Sequence, residues 1–232
     1  MRGLLLSVLT ATLLLVGCQS AAPATKLEVK VPWGNGDTAS YVIQDQKGNQ
    51  IGTSEITVSK DAGGFAVHQL IQIAAYKDDI SVVLRADDLK PASGHRVIDQ
   101  GKGPITVDTK YSDNKLSIIA KTPDGDKAAD IEVPADAYDN DAALAFWRSL
   151  PYREGYKVSY TNVTAASALK TPVTLAVIGR EKVTVPAGEF EAWKVQLETA
   201  QTKQTLWYAA AAPTHLVKYD NGSTVFLLSQ FK

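Results

Sequence analysis

Along most of the chain apolar and polar residues alternate over short runs, and Gly, Asn, Asp or Pro interrupts each run. A period of two puts apolar side chains on one face of a strand and polar ones on the other, so the pattern predicts a mainly β, antiparallel protein. Ala39–Asp45 and Gln50–Lys60 flank Gln46-Lys47-Gly48-Asn49, a hairpin turn containing glycine. Phe65–Ala75 and Ile80–Ala86 are expected to join across Tyr76–Asp79, with Val97 in a further strand after Leu89-Lys90-Pro91. Ile105–Tyr111, Leu116–Thr122 and Ala129–Val133 are separated by Ser112-Asp113-Asn114-Lys115 and Pro123-Asp124-Gly125-Asp126. Strands resume at Tyr156–Val163, Val173–Val185 with a bend at Gly179, Ala192–Glu198, Gln204–Ala209, Leu216–Asp220 and Thr224–Leu228. Asn221-Gly222, in the last turn, is a strong hairpin signal.

Two stretches break the alternation. After Pro134, Ala143, Phe146, Trp147 and Leu150 fall on one face at helical spacing, Asp139 or Asn140 is placed to cap the first amides, and Pro151 stops the run. A helix is therefore expected near residues 139–149. Many antiparallel strands around one central helix predict a long curled sheet, a half-barrel whose concave side the helix fills or partly fills. Curling reduces the exposed edge of so long a sheet. Residues 168–171 show no linker composition, so residues 27–232 are read as a single β-rich domain.

The second stretch is Leu4–Val16, almost wholly apolar after Arg2. It is too short to span a bilayer, which takes about 20 apolar residues, and has the size of a signal-peptide core. Leu15-Val16-Gly17-Cys18 resembles the lipobox of bacterial lipoproteins, and Cys18 is the single cysteine of the chain. The resemblance implies a signal peptide over residues 1–17, a diacylglyceryl group on Cys18, acyl chains such as palmitate as the membrane anchor, and a flexible tether over residues 18–26. Two or more acyl chains hold a protein at a membrane without a spanning segment. In Gram-negative lipoproteins aspartate after the cysteine retains the protein at the inner membrane; Gln19 points instead to the outer membrane, facing the periplasm.

Charge and chemistry narrow the function. Lys and Arg number 24 against 25 Asp and Glu, with no basic cluster, which argues against nucleic acid. One cysteine excludes a disulfide scaffold and a thiolate metal site. His68, His95 and His215 lie far apart, so no metal is expected. Asp124-Gly125-Asp126 lacks the downstream glutamate of a calcium loop. Gly34-Asn35-Gly36 and Gly63-Gly64 lack the strand-to-helix context of a nucleotide site, so no cofactor is expected. No G-x-S-x-G is present, and the hydroxyl and imidazole of Ser93-Gly94-His95-Arg96 are close only in sequence. Asp78-Asp79, Asp87-Asp88 and Asp139-Asn140-Asp141 read as turn or helix-start residues that cap amides. The chain is therefore expected not to be an enzyme.

Several phrases carry a family resemblance: Tyr138-Asp139-Asn140; Trp147-Arg148-Ser149-Leu150-Pro151-Tyr152 with Gly155-Tyr156; Val183-Thr184-Val185-Pro186-Ala187-Gly188-Glu189-Phe190; Lys194-Val195; and Trp207-Tyr208. Over most of residues 40–230 the sequence resembles the exported bacterial proteins of domain-of-unknown-function family 3108. More distantly, strand count and a mid-chain helix make it similar to the half-barrels of the LolA and LolB type, in which a curved sheet holds an apolar cavity. The resemblance implies a fold and a compartment rather than a chemistry. Phe146, Trp147, Trp193 and Trp207 are the candidates for lining such a cavity; packed core is the other reading of them. The functional expectation is a non-catalytic, membrane-anchored lipoprotein that binds a hydrophobic ligand or lipid. The alternative is a structural or interaction protein with a filled core that recruits another envelope protein.

Overall fold

The computed structural model describes residues 27–34 and 36–232; the expected signal peptide, Cys18 and the tether through residue 26 lie outside them. The strands are β1 (Gly36–Asp45), β2 (Gln50–Asp61), β3 (Gly64–Ile73), β4 (Tyr76–Arg85), β5 (Pro91–Asp99), β6 (Ile105–Ser112), β7 (Lys115–Thr122) and β8 (Gly125–Glu132), followed by β9 (Ala137–Asp139). After a helical segment come β10 (Lys157–Thr164), β11 (Leu169–Val185), β12 (Gly188–Glu198), β13 (Lys203–Ala209), β14 (Leu216–Asp220) and β15 (Thr224–Phe231). All belong to one sheet in the order β8-β7-β6-β5-β4-β3-β2-β1-β15-β14-β13-β12-β11-β10-β9. Strands β1 and β15 pair at its centre, and a meander extends from each of them to an edge. Every pairing is antiparallel except the short parallel one between β9 and β10.

That order dictates the shape. Fourteen strand spacings would make a flat sheet about 65 Å wide, yet its edge strands β8 and β9 are joined by residues 133–136 alone. So short a connection spans at most about 18 Å. The sheet therefore curls until its edges approach. Val107, Leu116 and Ile118 of β6 and β7 pack against Val163 of β10 and Ala165, while the backbone stays unclosed. Lys170 reaches across the seam, its Nζ donating to the Glu132 carbonyl at 3.0 Å.

The predicted hairpins through Asn49, Asn114 and Asn221 are present, and the Gly179 bend is a register shift between β11 and β12. Two expectations need correction. Tyr76–Asp79 is not a turn: the turn is Ala74-Ala75, and β4 begins at Tyr76, so Asp78 shares the inward face with Ile80, Val82 and Leu84. The expected helix is no regular one-faced cylinder. Residues 140–142 and 147–149 form 3₁₀ turns around a single α turn, Ala143–Phe146. Asp139 does cap it, accepting from the Asp141 amide. Because the sheet encloses most of this plug, Ala142, Ala145, Arg148 and Ser149 are buried along with the predicted face, and Asn140, Asp141 and Leu144 leave too narrow an open side to shape an amphipathic helix. No helix among the described residues is long and apolar enough to cross a membrane.

Candidate functional site

Since alternate turns of a meander fall at the same end, the barrel has two distinct ends. One carries the β1–β2, β3–β4, β12–β13 and β14–β15 turns; the other carries the start of β1, the end of β15 and the β13–β14 connection. The plug runs between them, and an arginine–carboxylate cluster fixes each of its ends.

At the second end a strap, residues 27–34, crosses the barrel with Leu27 and Trp33 buried, and the Lys30 amide donates to the Ser149 carbonyl at 2.8 Å. Arg148, at the foot of the plug, donates from Nη1 and Nη2 to the two Asp37 oxygens at 2.9 and 2.7 Å, and from Nε to the Thr214 carbonyl at 2.8 Å. Its guanidinium lies 5.7 Å from the Trp33 ring centre and 5.9 Å from that of Phe231. The two charged side chains are 4% and 7% exposed. His215 stands beside them; burial, aided by the Arg148 charge, pushes its imidazole down to about 4. The strap closes this end over, leaving a crevice of about 220 Å³ beside Arg148 and Trp193.

At the first end Asp139 accepts from the Asp141 amide at 2.7 Å and from the Tyr111 hydroxyl at 2.6 Å. Arg96 donates twice to Asp78, at 2.9 and 2.7 Å, and once to Asp141, at 2.9 Å. Tyr76 adds a 2.8 Å hydrogen bond to Asp78. Asn162 donates to Asn140 at 2.8 Å but leaves its own Oδ1 without a partner, although the residue is only 8% exposed. Burial raises both Asp139 and Asp141, Asp139 to about 7, with the Asp141 charge adding to the effect on Asp139. Burial alone would lower Arg96, but Asp78 and Asp141 outweigh it and hold the guanidinium firmly charged.

Between this polar belt and the sheet lies a cavity of about 440 Å³, within the 300–1,000 Å³ range of ligand pockets. Ile80, Leu144, Trp147, Val173, Leu197 and Phe226 supply its apolar wall; Asp78, Arg96, Asp141 and Asn162 supply the polar one. The turn residues Thr199, Gln201, Thr202 and Asn221 line its mouth, which opens at the end opposite the strap. A larger groove of about 1,040 Å³ runs outside, along the seam between β7–β8 and β10–β11. It is open to solvent and partly bridged by Lys170.

The structure separates the four aromatic candidates. Phe146, 1% exposed, stacks on Tyr138 with ring centres 4.2 Å apart and lies inside the core. Trp147 reaches the cavity wall, its Nε1 donating to the Tyr160 hydroxyl at 2.6 Å. Trp193 pairs with Tyr208 on the inner face but lines a crevice at the strapped end. Trp207, one residue before Tyr208, is on the outer face, between Lys194 and Lys218 and bonded to Glu181. The four do not form one lining, and Cys18 is outside the described residues.

The sequence reading missed Asp78, Arg96 and Asp141 as interior groups. Asp78 carries the one legible signal: in β4 it falls on the inward face shared by Ile80, Val82 and Leu84, where an acid is out of place without a buried cation. Asp139 and Asp141 read as cap residues, and Asp139 is one; that the cap is walled in by Tyr111 follows only from the curl of the sheet. His95 is exposed and bonded to Asp108, on the outer surface.

An antiparallel sheet rolled nearly into a barrel, with a buried plug and one hollow end, defines the structural class. The chain belongs to the family described as protein of unknown function, DUF3108, whose profile matches residues 27–228. Its fold is similar to that of a β-barrel-like protein of domain of unknown function DUF1849 from Brucella abortus, with a TM-score of 0.52 at 11% identity, over 89% of this chain and 98% of that one. A presumptive exported protein of YmcC-like fold from Bacteroides fragilis matches at a TM-score of 0.32 and 11% identity, over 88% and 99% of the two chains. A presumptive lipoprotein from Parabacteroides distasonis matches at 0.34 and 13%, over 90% and 100%. No curated protein sequence matches the chain.

Proposed function

We propose that this chain is a lipid-anchored extracytoplasmic binding protein whose hollow end holds a small amphipathic ligand without altering it chemically. In this reading residues 1–17 direct export, Cys18 carries the anchor, and the protein resides in the cell envelope, at the periplasmic face of the outer membrane in a Gram-negative host. The observation that carries the ligand reading is the cavity itself: plug and strap leave a crevice of about 220 Å³ at the strapped end but about 440 Å³ between Trp147, Leu144 and the sheet at the other. Dry apolar packing is the rule for protein interiors, so a mixed apolar and polar cavity open at one mouth fits a binding site better than a packing fault. Eight residues separate Cys18 from Leu27, at most about 30 Å of chain, which directs the strapped end to the membrane and the mouth away from it.

Native mass spectrometry of the protein recovered from its own envelope, before and after delipidation, tests the ligand. A discrete mass excess that delipidation removes is expected; bare protein mass, unchanged after incubation with envelope lipids, contradicts the reading. Cys18→Ser is expected to shift the chain from the membrane to the soluble fraction.

The second reading, recruitment of an envelope protein, is favoured by β8, an edge strand exposed at nearly every position, and by Ile119 next to it at 50% exposure. Specific capture of one partner from detergent-solubilised membranes, lost on Ala128→Pro in that edge, would support it.

A further inference from the structure

The cavity's charge selects its ligand. Resting on the reading of the cavity as a ligand site, we propose that the occupant is an amphipathic cation, a positively charged amine on a short apolar body, and that fatty acids and other anions are refused.

Among the described residues, Arg96 is the one cation on the cavity wall, and it faces two wall carboxylates, Asp78 and Asp141. Asp78 takes two of its donors and Asp141 a third. An incoming carboxylate or phosphate would have to compete with both for the guanidinium and would face an excess of negative charge at low dielectric. Asp139 sits directly behind Asp141, bonded to its amide, and adds to that excess whenever it is ionised.

A cation meets the opposite situation. Arg96 engages Asp141 through Oδ1 alone, whereas both oxygens of Asp78 are bonded. Asp141, 10% exposed, has the Asn140 side chain as a further hydrogen-bond neighbour and keeps an oxygen outside the guanidinium's hold, so it is the carboxylate a ligand amine can approach. Asn162, on the same wall and more than nine-tenths buried, has an acceptor oxygen with no donor. An ammonium has three donors and no acceptor, matching a wall that offers acceptors and no free cation. Ile80, Leu144, Trp147 and Phe226 receive the apolar body, with Trp147 presenting an aromatic surface that also suits a cation. At about 30 Å³ per water-sized volume the cavity of 440 Å³ accommodates about 15 such volumes, a small molecule rather than a diacyl lipid.

Octylamine, octanol and octanoate, matched in chain length, provide the test by isothermal titration of residues 19–232 at pH 7.5. Octylamine is expected to bind at least about tenfold more tightly than octanoate. Asp141→Asn, which keeps a hydrogen-bonding group beside Arg96, is expected to narrow the gap to about threefold or less. Leu144→Trp, filling the cavity, is expected to abolish binding of all three. Octanoate binding as tightly as octylamine, and lost in Leu144→Trp, would overturn the charge selection while leaving the ligand cavity standing. Binding of none of the three would remove both. An amine preference undiminished in a folded Asp141→Asn protein would overturn the assignment; should that variant not fold, the amine-to-octanoate ratio of the wild type alone decides.

Discussion

At the strapped end one arginine, Arg148, meets one carboxylate, Asp37, under the rings of Trp33 and Phe231. At the hollow end one arginine, Arg96, meets two carboxylates beside a cavity, and its side chain is 17% exposed. Both clusters hold an end of the same plug, and both remove charge from water. The difference lies in what surrounds them. A balanced pair held between aromatic rings, with only a small crevice beside it, is a structural clamp; an unbalanced cluster facing an open volume twice that size has electrostatic capacity left for something that enters. Buried ion pairs alone say little about stability or function, and here the packing around them distinguishes the two roles.

If that distinction holds, damage at the strapped end is the more costly. Asp37→Ala leaves Arg148 buried without its carboxylate and is expected to cost about 3–5 kcal/mol, measured by urea unfolding. Replacing both partners with apolar residues should recover much of the loss, since the uncompensated charge goes with the pair.

Adjacent plug residues sharpen the contrast. Ala145, 1% exposed, has no room, and Ala145→Leu is expected to cost about 1–3 kcal/mol through overpacking. Leu144 faces the cavity, so the larger change Leu144→Trp should move stability by less than about 1 kcal/mol. Equal losses at the two positions would mean that no usable cavity exists.

Acid should then act on the two ends in opposite senses. His215 is held below its ordinary value of 6.5, at about 4, with Arg148 and Asp37 as the charges facing it. Its folded form resists protonation, so its contribution is present above pH 6.5 and is lost as pH falls towards 4. Asp139 is raised from 3.8 to about 7, facing Asp141, Arg96 and Tyr111. The folded state favours its protonated form, so its contribution is greatest at low pH and is lost as pH rises through 7. His215→Gln should flatten the acid limb of the stability profile, and Asp139→Asn the limb approaching neutrality. The smallest effect is expected for Asp141→Asn, about 1 kcal/mol or less, because Arg96 keeps both of its bonds to Asp78 and the new amide oxygen can still accept from it.

Much of the sheet was legible because hairpins are local. Gln46–Asn49, Ser112–Lys115 and Asn221-Gly222 each declare a turn through glycine, asparagine or aspartate, and the strands on either side follow by alternation. At Tyr76–Asp79 two signals conflict: acids are common in turns, but the alternation that runs through Asp78 is the one the strand obeys. The position of the plug is legible, and Asp139 is one of the two caps the sequence offers, but its broken form depends on being enclosed by strands distant in sequence. The separation of Trp193 from Trp207 is a matter of register: Tyr208, not Trp207, lies opposite Trp193. The cavity was the least legible feature, since empty space has no sequence signal of its own and depends on how far the sheet curls before its edges meet.

The four tryptophans sample the regions being compared: Trp147 the cavity, Trp33 the strapped end, Trp193 the crevice beside it and Trp207 the outer face. The indole N–H signals of ¹⁵N-labelled protein, followed during titration with octylamine, octanol and octanoate, therefore report where a ligand enters. A saturable shift of Trp147, with Trp33, Trp193 and Trp207 unmoved, is the predicted result. Shifts centred on Trp33 or Trp193, or none from any of the three compounds, would contradict a ligand site at the hollow end.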